Sequence, residues 1–285
     1  MSVVVTGATG HLGRLIAEGL LDAGVDVVAG GRRTERVADL AGRGARVVEI
    51  DYDRPGTLAD ALAGADTLML VSGSEVGRRV EQHGAAIDAA KAAGVRRVVY
   101  TSAPHADATD LVLAPEHKAT EDLLAASGLV TTVLRNNWYT ENYVRTLQQA
   151  AATGEIVGSV GLGRVASATR ADLAAGAVAV LTGGGHDGRT YELTGDHAWT
   201  HHELALVASH LVGRPVVYRD VTPDEQRAGL LAAGLDEGTA GFVVALDRNI
   251  ATGALADATD TLRTLLGRPT TPLVDGLTAA WSASA

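Results

Sequence analysis

Residues 3–13 read Val3-Val4-Val5-Thr6-Gly7-Ala8-Thr9-Gly10-His11-Leu12-Gly13, a short β-branched run followed by a glycine-rich bend. The bend opens the segment Leu12 to Leu21, whose apolar periodicity predicts a helix. At the start of such a helix the backbone N–H groups lack intrahelical partners, and the positive end of the helix dipole lies behind them. A pyrophosphate fits such a place, so this strand, bend and helix predict a dinucleotide-binding turn.

The glycines of the bend are spaced Gly-x-x-Gly-x-x-Gly, which departs from the standard Gly-x-Gly-x-x-Gly fingerprint. One glycine permits the tight turn, one lets phosphates approach the backbone, and one lets helix and strand pack closely. The preceding strand and the following helix favour a dinucleotide, and the alternative is an ordinary βα turn without a ligand. The predicted cofactor contacts of this turn are Gly7, Ala8, Thr9, Gly10, His11, Leu12 and Gly13.

The composition excludes several classes of function. The 285 residues include no cysteine, which excludes disulfides, thiolate catalysis and Cys-ligated metals. A formal net charge of −10 disfavours nucleic acid as a partner. No uncharged apolar run of about 18 residues occurs, so no membrane span is expected. Because the first strand begins at once and leaves no room for a signal peptide, we expect a cytoplasmic protein.

His201 and His202, with Glu203 beside them, are the candidates for a metal site. Neighbouring residues on a helix point to different faces, so one ion cannot easily take both imidazoles. We therefore predict no metal site.

Strand-like and helix-like segments alternate regularly through the first half of the chain. This alternation predicts a Rossmann-type α/β fold, a doubly wound parallel sheet with helices on both faces. After about Asn136 the pattern loosens, and we expect a smaller C-terminal α+β substrate lobe over the edge of the sheet where ligands bind. The predicted domains are 1–150 for NAD(P) binding, rejoined by segments around 189–196, and 151–285 for the substrate. The predicted strands are Val25–Gly30, Ala45–Ile50, Thr67–Val71, Val95–Thr101 and Val130–Leu134.

The end of the second predicted strand indicates which cofactor is bound. An NAD-specific protein usually has Asp or Glu there for the ribose 2′-hydroxyl, but Asp26 lies at the wrong end of the strand. Arg32, Arg33 and Arg36 follow the strand instead, and a guanidinium pairs well with the 2′-phosphate of NADP. We predict NADPH over NADH, with a solvated basic loop as the alternative. Tyr52 follows the third predicted strand, and Ser72, Gly73 and Ser74 follow the fourth, where they are predicted to contact the cofactor, with ordinary polar strand caps as the alternative. The predicted contacts of this region are therefore Arg32, Arg33, Tyr52, Ser72, Gly73 and Ser74.

Several segments spread over most of the chain carry a resemblance to one family. The most specific segment is Arg135-Asn136-Asn137-Trp138-Tyr139-Thr140-Glu141-Asn142-Tyr143, and the other matching segments are Thr6–Gly13, Ser74–Gly77, Ala90–Val95, Tyr100–Ser102, Ala166–Asp172 and Tyr191–Asp196. On these segments the chain resembles the atypical short-chain dehydrogenase/reductases of the NmrA-like group, more closely its bacterial NAD(P)H:quinone oxidoreductases, and next triphenylmethane reductase. The resemblance implies that the segment 135–143 lines the nicotinamide and substrate pocket.

The residues of this segment support such a role. Three of the ten aromatic residues, Trp138, Tyr139 and Tyr143, cluster here directly after a predicted strand, where they can stack a flat ring. Asn137 and Asn142 can hydrogen-bond a carboxamide or quinone oxygen. The alternative is a helix that packs its aromatic residues into the core. Asn137 and Tyr139 are predicted catalytic residues, and the predicted cofactor contacts of this half are Asn137, Trp138, Tyr139, Asn142 and Arg170.

The alcohol-dehydrogenase apparatus of the wider family is missing. Most short-chain dehydrogenases use a Tyr and a Lys four residues later, but those positions correspond to Leu113 and His117. Reducing a simple ketone creates a basic alkoxide and needs a positioned acid, whereas a quinone gives a stable phenolate and a triphenylmethane dye needs no proton. His117 is the third predicted catalytic residue, either as a proton donor to a quinone oxygen or as a ribose or structural hydrogen bond.

We therefore expect an NADPH-dependent oxidoreductase that transfers hydride to a small quinone-like, dye or iminium acceptor, with proximity supplying most of the acceleration. The alternative is a non-enzymatic NADP-binding redox sensor of the NmrA type, which binds a protein partner without turnover. The sequence leaves the oligomeric state open, with a homodimer as one expectation.

Overall fold

A computed structural model describes residues 1–284, in which strands and helices alternate. The strands, in chain order, are β1 (Ser2–Val5), β2 (Asp26–Gly31), β3 (Arg46–Glu49), β4 (Thr67–Leu70), β5 (Arg97–Ser102), β6 (Val130–Asn136), β7 (Glu155–Gly158), β8 (Arg164–Val165), β9 (Thr190–Leu193), β10 (Trp199–Thr200) and β11 (Val217–Asp220). The helices are α1 (His11–Asp22), α2 (Pro55–Leu62), α3 (Arg79–Ala92), α4 (Ala114–Ala126), α5 (Val144–Thr153), α6 (Arg170–Thr182), α7 (His201–Val212), α8 (Pro223–Ala232), α9 (Glu237–Ala251), α10 (Thr261–Leu266) and α11 (Leu273–Ser282). Short 3₁₀ helices cover Thr34–Arg43 and Thr140–Tyr143.

Within the described residues, seven strands form one parallel sheet in the order β3-β2-β1-β4-β5-β6-β9. The chain progresses in one direction from β1 to β3 and then returns to place β4 on the other side of β1. Ligands bind outside the carboxyl ends of the strands at such a reversal. The predicted Rossmann-type α/β fold is thereby confirmed. Strand β9, which falls within 189–196, pairs with β6 at the sheet edge, while the domain boundary at residue 150 stays a prediction.

The side chains of β1 are buried on both faces of the sheet. Val3 and Val5 pack into a cluster with Ile16 and Leu20 of α1, whereas Val4 belongs to a second cluster on the face of α2 and α3. Ile16 and Leu20 are one helical turn apart, which is why the periodic segment after the glycine-rich bend folds as a helix against the sheet. Burial on both faces is what a continuous β-branched run such as residues 3–5 predicts.

The smaller lobe has two short sheets and its own core. Strands β8 and β10 pair antiparallel, and β7 and β11 pair parallel. The lobe core, as we call the cluster around Trp199, Leu204, Ile250 and Leu277, is built by helices α5, α7, α9 and α11. Among residues 1–284, we find no helix with the length and apolar character that crossing a membrane requires.

Candidate dinucleotide site

A cleft of about 770 Å³ opens at the carboxyl ends of β1, β2 and β4. The turn after β1 and the loops after β2 and β4 form its walls, and residues from beyond β6 close one end. It therefore lies at the topological reversal where open α/β sheets bind ligands. The predicted site residues that line it are Gly7, Thr9, Gly10, His11, Leu12, Gly13, Arg32, Arg33, Tyr52, Ser72, Gly73, Ser74, Tyr139 and Arg170.

Backbone hydrogen bonds tie the turn Gly7–Gly13 to both neighbouring strands. The N–H of Thr6 donates to β4 at 3.0 Å, and the N–H of Ala8 donates to β2 at 2.9 Å. Gly7 has a φ of +63°, a conformation that side chains disfavour. A Cβ on Gly13 would lie 2.3 Å from the carbonyl oxygen of Gly7. Both positions therefore require glycine, because the obstacle at Gly13 is backbone that cannot move aside.

The first turn of α1 leaves backbone donors open toward the cleft. Gly10 at the N-cap is extended, and no side chain among the described residues caps the helix. The first intrahelical hydrogen bond runs from the Arg14 N–H to the Gly10 carbonyl at 3.0 Å, so the N–H groups of residues 11–13 precede it. Such donors, with the helix dipole behind them, favour a phosphate. The residues present therefore fit the pyrophosphate of a dinucleotide.

Four arginines, Arg14, Arg32, Arg33 and Arg36, lie around the end of the cleft beside β2. Across the cleft, Arg32 Nη1 is 2.7 Å from the carboxylate of Glu75, and the Arg32 side chain is 60% exposed. Arg14 Nη1 donates to the Arg36 carbonyl at 2.9 Å, which holds the loop after β2 close to α1. Exposed guanidinium groups in this place fit the 2′-phosphate of a dinucleotide.

Asp51 and Tyr52 line the cleft beside the arginines. A hydrogen bond from the backbone N–H of Asp53, with help from Arg54, holds the pKa of Asp51 below its ordinary value. Burial raises the pKa of Tyr52, so its hydroxyl keeps its proton. That buried hydroxyl has no hydrogen-bond partner among the described residues.

Tyr139 and Arg170 close the other end of the cleft. The Arg170 guanidinium lies 4.7 Å from the centroid of the Tyr139 ring, a cation–π contact. Arg170 also donates from Nη2 to Asn142 Oδ1 at 2.7 Å, which fixes the guanidinium. Burial raises the pKa of Tyr139, so its phenol stays protonated. This end therefore offers an aromatic face, a hydroxyl donor and a cation.

Four predicted cofactor contacts are outside the lining of the cleft. The Ala8 side chain is fully buried beneath the turn. Asn137 donates from Nδ2 to the Leu255 carbonyl at 3.3 Å and accepts from the backbone N–H of Trp138 at 2.6 Å. The Trp138 ring packs against the lobe core. Asn142 does not line the cleft itself but accepts a hydrogen bond from the guanidinium of Arg170, which does. Contact of these four residues with a ligand stays a prediction.

His117 is a buried residue of α4 that faces β5 and does not line the cleft. Its Nδ1 is 2.8 Å from the Tyr100 hydroxyl. Burial and the positive charge of Arg79 lower the pKa of His117 to about 3, so the ring is neutral near pH 7. Leu113, at the start of α4, packs against the lobe core. Leu113 and His117, which occupy the positions that the resemblance assigns to a Tyr–Lys pair, therefore present no proton donor to the cleft.

The cleft has further lining residues that were not predicted as contacts. Gly31, Ile50 and Val71 end or follow strands β2, β3 and β4, so a strand-end criterion applied strictly could have found them. Arg14 and Gln82 come from helices, and no pattern in the sequence points either of them at the cleft. The lining residues outside the predicted set are Arg14, Gly31, Ile50, Val71, Glu75 and Gln82, and the lining also includes Arg36 of the predicted basic cluster and Asp51, the neighbour of Tyr52.

The surroundings of His201 and His202, the candidates for a metal site, are aromatic. The His201 ring packs against Tyr143, Trp199 and Tyr218 in the smaller lobe. Burial lowers the pKa of His201 to about 4. Within the part of the chain that the structure describes, no three His, Asp or Glu side chains are grouped so that they could hold an ion.

Comparison with known proteins matches residues 7–183 to the model of a family described as NAD(P)H-binding. Quinone oxidoreductase 2 of Escherichia coli is 42% identical over 277 residues, which cover 96% of this chain and 97% of that protein. The crystal structure of NADPH-dependent quinone oxidoreductase from E. coli, complexed with NADPH, matches with a TM-score of 0.92 and covers 98% of this chain and 99% of its own. Citrobacter sp. triphenylmethane reductase complexed with NADP(H) matches with a TM-score of 0.91 and 35% identity, covering 98% and 100%.

Proposed function

This chain belongs to the NAD(P)H-binding family, and we propose that its reaction is the NADPH-dependent reduction of quinone-like and other readily reduced small acceptors. It is an NAD(P)H-dependent oxidoreductase, like the relatives that match it over nearly their whole length. The observation that carries the proposal is one cleft shared by the turn Gly7–Gly13, the arginines after β2 and Tyr139. NADPH held in that cleft supplies a hydride from its nicotinamide.

The residues of the β1–β2 side bind and orient the cofactor. We propose that the N–H groups of residues 11–13 hold the pyrophosphate and that Arg32 and Arg33 hold the 2′-phosphate. Strand β2 ends in Gly30-Gly31 and places no carboxylate where it would accept from a ribose 2′-hydroxyl. The choice of NADPH over NADH follows from that combination of cations present and carboxylate missing.

The opposite end of the cleft receives the acceptor. The Tyr139 ring, fixed beneath Arg170, provides a flat surface for a quinone or dye. Its hydroxyl remains protonated because burial raises its pKa, so it can donate a hydrogen bond to a quinone oxygen. We propose Tyr139 as the residue that touches the acceptor, with Asn137 shaping the pocket from behind through its bonds to the backbone of Leu255 and Trp138.

His117 has a structural part in this proposal. A ring with a pKa near 3 holds no extra proton to give at neutral pH, and its Nδ1 is engaged with Tyr100. Without a Tyr–Lys acid, the reduction of a simple ketone is slow, because the alkoxide forms unprotonated. A quinone yields a phenolate that needs no such acid, and a cationic dye needs no proton at all. The site therefore suits acceptors that take hydride readily.

The test is a set of initial rates of NADPH oxidation with quinones, a triphenylmethane dye, an iminium compound and simple aliphatic ketones at equal concentration. We expect turnover with at least one quinone or dye and, for the ketones, rates at least about a hundredfold lower, since a positioned acid contributes roughly 10²–10⁴-fold. Ketone reduction at a rate comparable to that of the quinones would overturn the proposal. Tight NADPH binding without oxidation by any acceptor would instead favour the redox sensor, which the named oxidoreductase relatives make the weaker alternative.

The acceptor is a small molecule, as it is for the quinone oxidoreductase relatives. A cytoplasmic place of action and a homodimeric state stay predictions from the sequence.

A further inference from the structure

The loop Val71–Gly77, which we call the β4 loop, forms one wall of the cleft and is anchored from behind. Ser72, Gly73, Ser74 and Glu75 line the cleft. The Ser72 N–H donates to the Thr101 hydroxyl at 2.8 Å, and the Gly77 N–H donates to the Glu116 carboxylate at 2.8 Å. The loop is therefore fixed at both ends by side chains of β5 and α4, and its middle needs a separate support.

Two side chains of α3 hold the peptide groups of Gly73. His83 Nε2 accepts a hydrogen bond from the Gly73 N–H at 3.0 Å. Arg79, one helical turn earlier, donates from Nε to the Gly73 carbonyl at 2.6 Å and pairs with Glu116 at 3.1 Å. His83 is fully buried and Arg79 is 7% exposed, so both supports are shielded from water. The middle of the β4 loop is thus held by donors and acceptors of fixed direction.

The hydrogen bonds around His83 fix its tautomer. A backbone N–H only donates, so Nε2 must accept and the ring hydrogen must be on Nδ1. Nδ1 is 3.0 Å from the Thr120 hydroxyl. That hydroxyl gives its own hydrogen to the Glu116 carbonyl at 2.9 Å, which leaves its oxygen free to accept from Nδ1. The opposite tautomer would place an N–H against the N–H of Gly73.

The surroundings also keep the ring neutral. Tyr100 lies edge-on with its ring centroid 5.4 Å from that of His83, and Tyr52 lies 6.4 Å away. Burial and the charge of Arg79 lower the pKa of His83 to about 4. A neutral ring of fixed tautomer presents one acceptor to the cleft side and one donor to α4.

We propose that His83 is a positioning residue for cofactor binding, which as its Nδ1–H tautomer holds the β4 loop in the shape that lines the dinucleotide cleft. The inference rests on the proposed function only in taking NADPH as the ligand of the cleft. Loss of the Nε2 acceptor leaves the Gly73 N–H unpaired and removes one of the two supports of the middle of the loop, so that Arg79 alone holds Gly73 between Ser72 and Ser74.

Two substitutions separate the nitrogens of the ring. In His83→Gln the amide oxygen can take the place of Nε2 and still accept from Gly73, whereas the shorter amide of His83→Asn reaches only the place of Nδ1. We expect His83→Gln to keep the Kd for NADPH within about threefold and His83→Asn to raise it about tenfold, the size of one lost hydrogen bond. Ile87→Val, a buried change one turn further along α3, is the control, which should lower Tm without changing the Kd.

Two further measurements, made without ligand or acceptor, test the role of His83 independently of NADPH binding. Ring ¹⁵N NMR should show the Nδ1–H tautomer of His83, and hydrogen exchange should show a protected Gly73 amide that becomes exposed in His83→Asn. An Nε2–H tautomer, or equal changes in Kd and Tm for the Gln and Asn variants, would overturn the proposal. Failure of the wild-type protein to bind NADPH would count against the proposed function, whereas the tautomer and the amide protection report on His83 alone.

Discussion

The sequence predicts the site from two segments, the turn Gly7–Gly13 and the segment Asn137–Tyr143. The two segments differ in how many of their residues line the cleft. Every residue of the turn except Ala8 lines the cleft. Of the residues in Asn137–Tyr143 only Tyr139 lines the cleft, although this segment carries the more specific resemblance to the family. The difference arises because the turn presents backbone groups to the cleft, whereas the later segment could contact a ligand only through its side chains.

The turn acts through its backbone. Its N–H groups point outward because α1 begins there, and its glycines are needed because the chain approaches itself closely. The later segment acts through side chains, which leave the chain in different directions. Trp138 packs into the lobe core, and Tyr143 meets Trp199 edge-on with centroids 4.8 Å apart. A local backbone motif is therefore a better guide to a site than a local cluster of side chains.

The largest expected effect tests the turn as a backbone device. Gly13→Ala places a Cβ 2.3 Å from the Gly7 carbonyl oxygen, so the turn must shift. Overpacking of this kind costs up to about 3 kcal/mol of stability. Because the backbone that must shift carries the N–H groups proposed to hold the pyrophosphate, we expect the Kd for NADPH to rise roughly a hundredfold or more. Gly229→Ala in α8, where a Cβ meets nothing within 4 Å, is the control and should leave the Kd unchanged. Binding by Gly13→Ala with the wild-type Kd, measured by titration, would show that the turn does not contact the cofactor.

A smaller effect tests whether the arginines after β2 select the cofactor. We expect Arg32→Ala to lower the ratio of kcat/KM for NADPH to that for NADH by about ten- to a hundredfold, since a hydrogen bond to a charged group contributes roughly 1.5–3 kcal/mol. Arg43→Ala is the control, because Arg43 pairs with Asp22 at 2.6 Å and is absent from the lining of the cleft. Initial rates with both cofactors measure the ratio, and an unchanged ratio in Arg32→Ala would remove this residue from cofactor selection.

The smallest effect tests whether neighbours in the later segment divide between site and core. Tyr139→Ala should lower kcat/KM for a quinone about tenfold, since one aromatic contact and one hydroxyl donor are lost. Trp138→Ala should instead lower the free energy of unfolding by about 2 kcal/mol, with kcat/KM kept within roughly threefold, because its ring packs against the lobe core. Steady-state rates and denaturant unfolding of both variants provide the two readouts. The reverse assignment of the two effects would show that Trp138 is the cleft residue.

Much of the fold could be predicted because its signals are local. The five predicted strands agree with β2 to β6 to within about two residues, since β-branched runs between Ala-rich helices determine them. The smaller lobe was less predictable, because its strands β8 and β10 have only two residues each and are set by their partners. Lining residues such as Gln82 and Glu75 also depend on tertiary contacts and were not predicted. They reach the cleft through α3 and the β4 loop only after the sheet has formed.

The sequence by itself determined the dinucleotide turn, the basic residues after β2 and the lack of a Tyr–Lys pair, because each depends on residue types at short spacing along one element. Only the tertiary structure decided that Trp138 belongs to the lobe core, that His117 is buried against Tyr100, and that His83 supports the β4 loop. Those outcomes depend on which elements pack together, and a histidine or tryptophan in a helix or loop carries no local sign of what it will face. The hydrogen bonds that fix a buried side chain come from residues far away in the sequence, so they exist only once the chain has folded.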